Sequence, residues 1–165
     1  MKVFLTICLV LICAPWDIGA QEARVPLNRA QTREAERRLN DMGYWTGAVD
    51  GIFDAASQSA LVAFQKWEGR PVTGRLTIDE LEAIRSSAGP KAREVGYEHV
   101  EIDVDRQILI LVNDERIVRV LPVSTGNGKE FFYEGQTSVA YTPRGRFVVY
   151  EQGVGWENNV AGSMY

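Results

Sequence analysis

The spacing of apolar residues changes along this 165-residue chain from a helical period to a strand period. In the first half, Ala35, Leu39 and Met42 recur every three or four residues, which is the spacing of one face of an amphipathic helix. Beyond Tyr97, apolar and acidic residues alternate, which is the spacing of a half-exposed strand. Since one element cannot satisfy both periods, the sequence predicts a helical unit followed by a mainly β unit, an α+β fold.

Capping residues predict three short helices in the first unit. Asn28 is a suitable N-cap for the first helix and Gly43 a suitable stop, while Asp54 can begin the second. Thr77 and Glu80 have the spacing of a capping box at the start of the third helix. The apolar positions expected to face the core from the second and third helices are Ala60, Leu61, Phe64, Trp67, Ile78, Leu81 and Ile84. The charged positions expected to form a solvent-exposed face on the first helix are Arg33, Glu34, Glu36, Arg37 and Arg38.

Small residues and a Gly-Pro pair separate the two units. The segment from Ser86 to Lys91 ends the helical pattern, because Gly89-Pro90 cannot continue a helix. We therefore predict a helical domain at residues 24–88, a linker at 89–97 and a β domain at 98–165.

The second unit is predicted to be a β-meander with one polar face. Val100, Ile102 and Val104 alternate with acidic residues in its first strand, and Asn113-Asp114 is a turn dipeptide between the next two strands. The further strands are expected at residues 107–112, 117–123 and 146–150.

The first 20 residues have the composition of a signal peptide. An uncharged apolar run from Val3 to Cys13 follows Lys2, and it is shorter than the ~20 residues that cross a bilayer. Gly19-Ala20 offers a cleavage site before Gln21, so we expect export to the periplasm or cell wall, with membrane contact only during export. The alternative is that this segment stays uncleaved as an anchor.

Cysteine content and charge exclude several function classes. Cys8 and Cys13 are the only cysteines, so a chain processed after Ala20 has no disulfide, thiolate metal site or cysteine nucleophile. The net charge of −4 disfavours nonspecific nucleic-acid binding, which needs a basic surface. We expect no metal, nucleotide or other cofactor.

Four segments of the helical unit stand at characteristic spacings. They are Arg38-Leu39-Asn40-Asp41-Met42-Gly43-Tyr44, Val49-Asp50-Gly51-Ile52-Phe53-Asp54, Ala60-Leu61-Val62-Ala63-Phe64-Gln65 and the loop from Gly69 to Leu76. Together they resemble the three-helix peptidoglycan-binding domain of bacterial cell-wall enzymes over residues 27–84. The resemblance implies that peptidoglycan, as glycan strand and stem peptides, is the partner.

Five residues of that unit are candidates for contacting peptidoglycan. Tyr44 and Trp45 follow the stop of the first helix, where an aromatic ring can stack on a sugar face. Asp50, Gln65 and Arg70 can hydrogen-bond to the glycan or to a stem peptide. Each of the five also has a purely structural explanation, in core packing or loop formation.

Loops of the β unit carry a second resemblance. They are Pro122-Val123-Ser124-Thr125-Gly126-Asn127-Gly128, Thr142-Pro143-Arg144-Gly145-Arg146-Phe147 and Gly162-Ser163-Met164-Tyr165. In this order, and behind such a binding domain, they resemble the N-terminal part of the L,D-transpeptidase catalytic domain over residues 99–165. The resemblance implies an acyltransferase that cross-links peptidoglycan stem peptides, and so a role in cell-wall organisation and cell shape.

No catalytic residue can be carried over from that family. Its nucleophile is a cysteine in a Ser-His-Gly-Cys type motif with an upstream histidine as base, and both follow the segment present here. His99 is the only histidine and matches no catalytic position, and Ser124 and Thr125 have no base beside them in the sequence. We therefore expect an inactive fragment of a transpeptidase. The alternatives are a noncatalytic peptidoglycan-binding protein that ends at Tyr165 and, with no positive sequence feature, an inhibitor or adaptor of wall enzymes.

Overall fold

The computed structural model describes residues 27–149 and the backbone of residues 157–159 and 162–164. Three helices come first: α1 (Arg29–Asp41), α2 (Ala55–Trp67) and α3 (Ile78–Ser86). The strands of the described residues follow: β1 (His99–Asp103), β2 (Ile108–Asn113), β3 (Arg116–Pro122), β4 (Glu130–Tyr133), β5 (Gln136–Val139), β6 (Glu157–Asn159) and β7 (Gly162–Met164). This order confirms the predicted α+β fold.

The predicted signal peptide lies outside the described residues. Within the part of the chain that is described, each helix is too short or too polar to cross a bilayer.

Side-chain caps start the first two helices as predicted. Asn28 Oδ1 accepts a hydrogen bond from the Gln31 amide at 2.9 Å, and Asp54 Oδ1 accepts one from the Ser57 amide at 2.8 Å. Gln31 Oε1 also accepts from the Asn28 amide at 2.9 Å, which completes a capping box that the sequence analysis does not identify. These bonds satisfy amides that have no partner inside the helix.

The capping box predicted at the third helix is only half formed. Thr77 Oγ1 accepts from the Glu80 amide at 3.2 Å, but the Glu80 carboxylate accepts from Arg70 Nε at 3.0 Å. A charged donor gives the stronger hydrogen bond, so the carboxylate turns to Arg70 and not to the Thr77 amide. Ile78, the first residue of α3, is 45% exposed instead of buried.

The first three strands form an antiparallel sheet in the order β1-β2-β3, and the predicted polarity of its outer face is wrong. Val100 and Ile102 are about half exposed, at 54% and 49%, whereas Asp103 in the same strand is buried. The reason is that Asp103 lies beside Ile108 on the face of the sheet that the helices cover at β2 and β3. There Arg93 and Arg106 donate to its carboxylate at 3.2 and 3.0 Å.

The remaining β structure differs from the prediction at two places. Glu134-Gly135 joins β4 to β5 with positive φ at both residues, 47° and 80°, which is the turn geometry that hairpins favour. A glycine between two β-rich segments is the sequence signal for this unpredicted hairpin. The strand expected at residues 146–150 is not formed over 146–149, where no described strand lies alongside to pair with it, and Tyr150 lies outside the described residues.

The helices and the sheet share one hydrophobic core. Ile108 and Val120 of the sheet are completely buried in the same cluster as Leu61 and Phe64 of α2. The backbone continues this contact, because the Val120 amide donates to the carbonyl of Gly43 at 2.8 Å, directly after α1. The domain boundaries predicted at residues 88 and 98 remain predictions. Buried residues from both sides of these boundaries pack in the same core.

Polar contacts also join α2 to the sheet. Lys66 Nζ donates to the carbonyl of Val123 at 2.9 Å and to the carbonyl and side-chain oxygens of Gln107 at 3.4 Å each. The Arg106 guanidinium lies 5.0 Å from the ring centroid of Trp67, within cation–π range. Lys66 therefore connects the last turn of α2 to both the start of β2 and the end of β3.

Replacement of Lys66 by methionine tests this connection. The Lys66→Met protein keeps the aliphatic stem but leaves the Val123 carbonyl without its donor, so we expect a loss of about 1–3 kcal/mol in the free energy of unfolding. Urea unfolding followed by circular dichroism measures it. Lys91→Met, at an exposed lysine, is the control, and equal stability of the two variants would contradict the assigned role.

Candidate functional site

Tyr44 lies in the core. Its side chain is 1% exposed, and its ring meets Phe64 edge-on with centroids 5.9 Å apart. The hydroxyl is buried without a hydrogen-bond partner among the described residues. Burial, with a smaller contribution from the Glu68 carboxylate, raises the pKa of Tyr44 well above its ordinary value. The ring therefore offers no surface to a glycan in this conformation.

Gln65 is also buried, and its amide group is fully engaged in holding a loop. Its Oε1 accepts from the amides of Thr73 and Gly74 at 3.0 and 2.9 Å, and its Nε2 donates to Thr73 Oγ1 at 3.1 Å. These bonds fix the loop between α2 and α3. A ligand would have to displace this loop to reach Gln65.

Arg70 is partly available. Its Nε donates to Glu80 Oε2 at 3.0 Å, and its side chain is 32% exposed while that of Glu80 is 9% exposed. The ion pair fixes the base of the guanidinium and ties the loop after α2 to α3. The side chain still reaches the surface, where a hydrogen-bond acceptor can approach.

Trp45 is the exposed aromatic residue at the end of α1. It is 46% exposed, and the Arg119 guanidinium of β3 lies 5.2 Å from its ring centroid. Because Tyr44 next to it is anchored in the core, the position of Trp45 is fixed by the backbone. An aromatic ring held in this way can stack on the apolar face of a sugar.

Asp50 lies in a loop that is fastened to α1. Its Oδ1 accepts from the Ile52 amide at 2.8 Å, and its carbonyl accepts from Arg29 Nε at 3.0 Å. Gly51 permits the close approach, since a Cβ there would lie 2.5 Å from the Arg29 carbonyl oxygen and φ is +83°. Asp50 is exposed, so its second carboxylate oxygen faces solvent on this rigid loop.

The prediction that Glu36 belongs to a solvent-exposed face is wrong. Glu36 is 1% exposed, and its carboxylate accepts from the Gly51 amide at 2.8 Å and from Ser57 Oγ at 3.1 Å. It is buried because the loop and α2 close over it and supply these donors. Glu36 therefore holds the loop that carries Asp50 against α1.

An open groove runs between α1 and this loop. Its lining includes Arg33 and Arg37 from α1, and Val49 and Asp50 from the loop. The sequence pattern predicts the two arginines only as part of an exposed helix face. Their spacing of four residues is the sequence signal for a shared face, but the loop that forms the opposite wall is visible only in the structure.

In the β unit, the two loops that resemble a transpeptidase lie side by side. The Gly126 amide donates to Thr142 Oγ1 at 2.8 Å, and a Cβ at Gly126 would lie 2.4 Å from the Ala140 carbonyl oxygen. Thr125 Oγ1 donates to the Val104 carbonyl at 3.4 Å. The Thr125 hydroxyl is therefore engaged in a hydrogen bond that holds the loop in this conformation.

His99 has both ring nitrogens engaged at the start of β1. Nδ1 lies 2.9 Å from the Tyr97 carbonyl oxygen, and Nε2 lies 3.1 Å from Glu101 Oε1. The Tyr97 carbonyl, and after it the Glu101 carboxylate, raise the pKa of His99 above its ordinary value. This arrangement positions the ring for structure, and no described side chain is placed to use it as a base.

Comparisons with known proteins agree with this architecture. Residues 28–84 match the family described as a peptidoglycan binding domain. The crystal structure of the L,D-transpeptidase from Xylanimonas cellulosilytica superposes with a TM-score of 0.74 and 36% sequence identity, over 82% of this chain and 67% of that chain. The chain belongs to the L,D-transpeptidase family. No curated protein matches the sequence significantly.

The match to the L,D-transpeptidase covers 82% of the chain, which is more than the helical domain alone contains. The resemblance therefore extends across both units. Cys8 and Cys13, the only thiols of this L,D-transpeptidase chain, lie outside the described residues. Among the described residues there is no group of three or more His, Cys, Asp or Glu side chains that could hold a metal ion.

A Tyr44→Phe substitution is expected to leave stability unchanged or to raise it by up to about 1 kcal/mol. It removes a buried hydroxyl that has no partner among the described residues and keeps the ring that packs on Phe64. Tyr44→Ala removes the ring as well and is expected to cost about 3–5 kcal/mol. Chemical denaturation measures both, and a clear loss in the phenylalanine protein would show that the hydroxyl is bonded.

The single histidine gives a pH prediction. Because the pKa of His99 in the folded chain is raised above 6.5, its stabilising contribution is complete below that pH and is lost as pH rises through the folded pKa. NMR titration of His99 is expected to give a pKa above 6.5, and Glu101→Gln is expected to lower it. The wild-type free energy of unfolding should fall more steeply than that of His99→Gln as the pH rises above 6.5. A titration at or below 6.5 would contradict the prediction.

Proposed function

We propose that this protein is an exported cell-wall L,D-transpeptidase that binds peptidoglycan through its helical domain. The observation that carries the proposal is the 36% identity to the Xylanimonas L,D-transpeptidase over 82% of the chain. The match to the peptidoglycan binding domain family at residues 28–84 supports the binding role. The apolar run at residues 3–13 supports export to the periplasm or cell wall.

The family resemblance implies acyl transfer through a cysteine. The thiolate attacks the diaminopimelate carbonyl of a tetrapeptide, D-alanine leaves, and the thioester passes the acyl group to the amine of a second stem peptide. This chemistry needs a nucleophile, a base and an oxyanion site together. Residues 14–165 contain no cysteine, and both nitrogens of His99 are engaged. We infer that these 165 residues bind peptidoglycan without catalysing the transfer.

The second candidate is a noncatalytic peptidoglycan-binding protein, and the match of residues 28–84 to the peptidoglycan binding domain family supports it. Sequencing the gene beyond codon 165 separates the two. An open frame that supplies a histidine and a Ser-His-Gly-Cys type segment supports the transpeptidase. A stop codon there supports the binding protein and removes the thiol mechanism.

A direct test uses the 165-residue chain and a disaccharide-tetrapeptide. We expect no release of D-alanine by mass spectrometry, together with co-sedimentation of the chain with purified sacculi. Release of D-alanine would contradict the inferred inactivity, and failure to sediment would contradict the binding role.

Trp45 is the residue we expect to contribute most to binding of the glycan. Its ring is 46% exposed, and the buried Tyr44 beside it anchors the backbone from which the ring projects. Trp45→Ala is expected to weaken co-sedimentation with sacculi about 10-fold, since aromatic stacking contributes on the order of 1 kcal/mol or more. Trp45→Phe keeps a stacking ring and is the matched control. If both variants bind as the wild type does, with circular dichroism unchanged, Trp45 is not part of the site.

A further inference from the structure

The groove between α1 and the Asp50 loop, here called the α1 groove, carries both positive and negative side chains. Its lining includes Arg33, Arg37, Asp41, Val49 and Asp50. Arg33 and Arg37 are one helical turn apart, which places them about 6 Å from each other along the axis. Both are exposed, and neither makes a side-chain hydrogen bond or an ion pair with another residue of the described range 27–149. Each arginine therefore presents a positively charged hydrogen-bond donor at an open surface.

The acidic residue between the arginines is hydrogen-bonded to a different arginine. Glu34 accepts two hydrogen bonds from Arg85 of α3, at 2.9 and 2.7 Å. The Arg85 guanidinium holds the pKa of Glu34 below its usual range, so this carboxylate remains ionised in its pair. The two groove arginines are left without a compensating partner within hydrogen-bond distance in the described residues.

Acidic side chains at the edge of the groove restrict which ligand fits. Asp41 lies at the end of α1 and Asp50 lies on the facing loop, and both are exposed. A ligand with anionic groups alone would be repelled by these carboxylates, whereas one that carries a carboxylate and a free amine finds a partner for each. An unlinked stem peptide ending in a diamino acid and D-alanine has both groups.

We propose that the α1 groove binds the zwitterionic end of a peptidoglycan stem peptide, with Arg33 and Arg37 on its carboxylates and Asp41 or Asp50 on its free amine. This proposal rests on the proposed function and adds the part of peptidoglycan that the helical domain recognises. Guanidinium groups suit this role, because their planar donor pair matches a carboxylate.

The facing wall of the groove is rigid. Arg29 Nε holds the Asp50 carbonyl at 3.0 Å, and the buried Glu36 holds the Gly51 amide at 2.8 Å. Little ordering of the loop is then needed when a ligand binds, which favours affinity for a small peptide. Trp45, which follows α1, then remains available to contact the glycan while the groove binds the stem peptide.

The test compares the whole chain with two double variants that lose the same charge. Arg33→Gln with Arg37→Gln removes the groove arginines, and Arg75→Gln with Arg116→Gln removes two exposed arginines elsewhere. Binding is measured by co-sedimentation with sacculi freed of attached anionic polymers and, in parallel, with sacculi that retain them. The same sacculi after an amidase has removed the stem peptides form the second arm.

We expect the Kd of the groove variant for intact sacculi to rise about 10-fold or more, while the control variant stays within about 2-fold of the wild type. Removal of the stem peptides should weaken wild-type binding by a similar factor and should not weaken the groove variant further. Equal Kd values for the two double variants would overturn the proposal. A loss by the groove variant seen only on sacculi that retain anionic polymers would assign the arginines to wall phosphates and would also overturn it.

These binding measurements distinguish a failure of the stem-peptide site from a failure of peptidoglycan binding as a whole. If the wild type binds sacculi and Trp45→Ala binds weakly, but the groove variant binds normally, only the stem-peptide site is lost. If the wild type does not bind sacculi in either arm, peptidoglycan binding itself fails and the groove proposal is overturned with it.

Discussion

The packing of α2 against the β1–β3 sheet is the contact on which the rest of the structure depends. Leu61 and Phe64 on α2 and Ile108 and Val120 on the sheet are completely buried in one cluster. A helical unit of about 60 residues buries a smaller share of its surface than a larger domain does, and a sheet of three strands needs a covered face. Because each unit supplies the cover that the other lacks, the helices and the sheet are held in one arrangement.

Buried and half-buried polar side chains transmit that arrangement to the loops. Glu36 fixes the Asp50 loop, Gln65 fixes the loop before α3, and Lys66 reaches the end of β3. Each satisfies backbone groups that would otherwise be costly to bury. The binding surface of the helical domain and the transpeptidase-like loops are therefore attached to the same core, and a peptidoglycan strand bound to one has a fixed relation to the other.

Local charge, and not the net charge of the chain, decides what this surface can recognise. The protein carries a net charge of −4, yet the α1 groove presents Arg33 and Arg37 without ion pairs among the described residues. Charges further away than about 8–10 Å are screened at physiological salt, so a ligand in the groove responds to its own wall. Asp41 and Asp50 add the opposite sign to the lining of the same groove, which suits a ligand of mixed charge better than a polyanion.

The sequence by itself determined the three helices, the caps at Asn28 and Asp54, the first strands and the family, because these follow from local periodicity, short-range hydrogen bonds and fixed motif spacing. Only the tertiary structure decided which side chains a ligand can reach. Tyr44, Gln65 and Glu36 have polar groups that suggest a surface, but residues distant in the chain close over them. Burial depends on those long-range contacts, which no local pattern records. The outer face of β1 is apolar for the same reason. The helices cover the opposite side of the sheet, and this cover, not the alternation of apolar and acidic residues, decides which side chains are exposed.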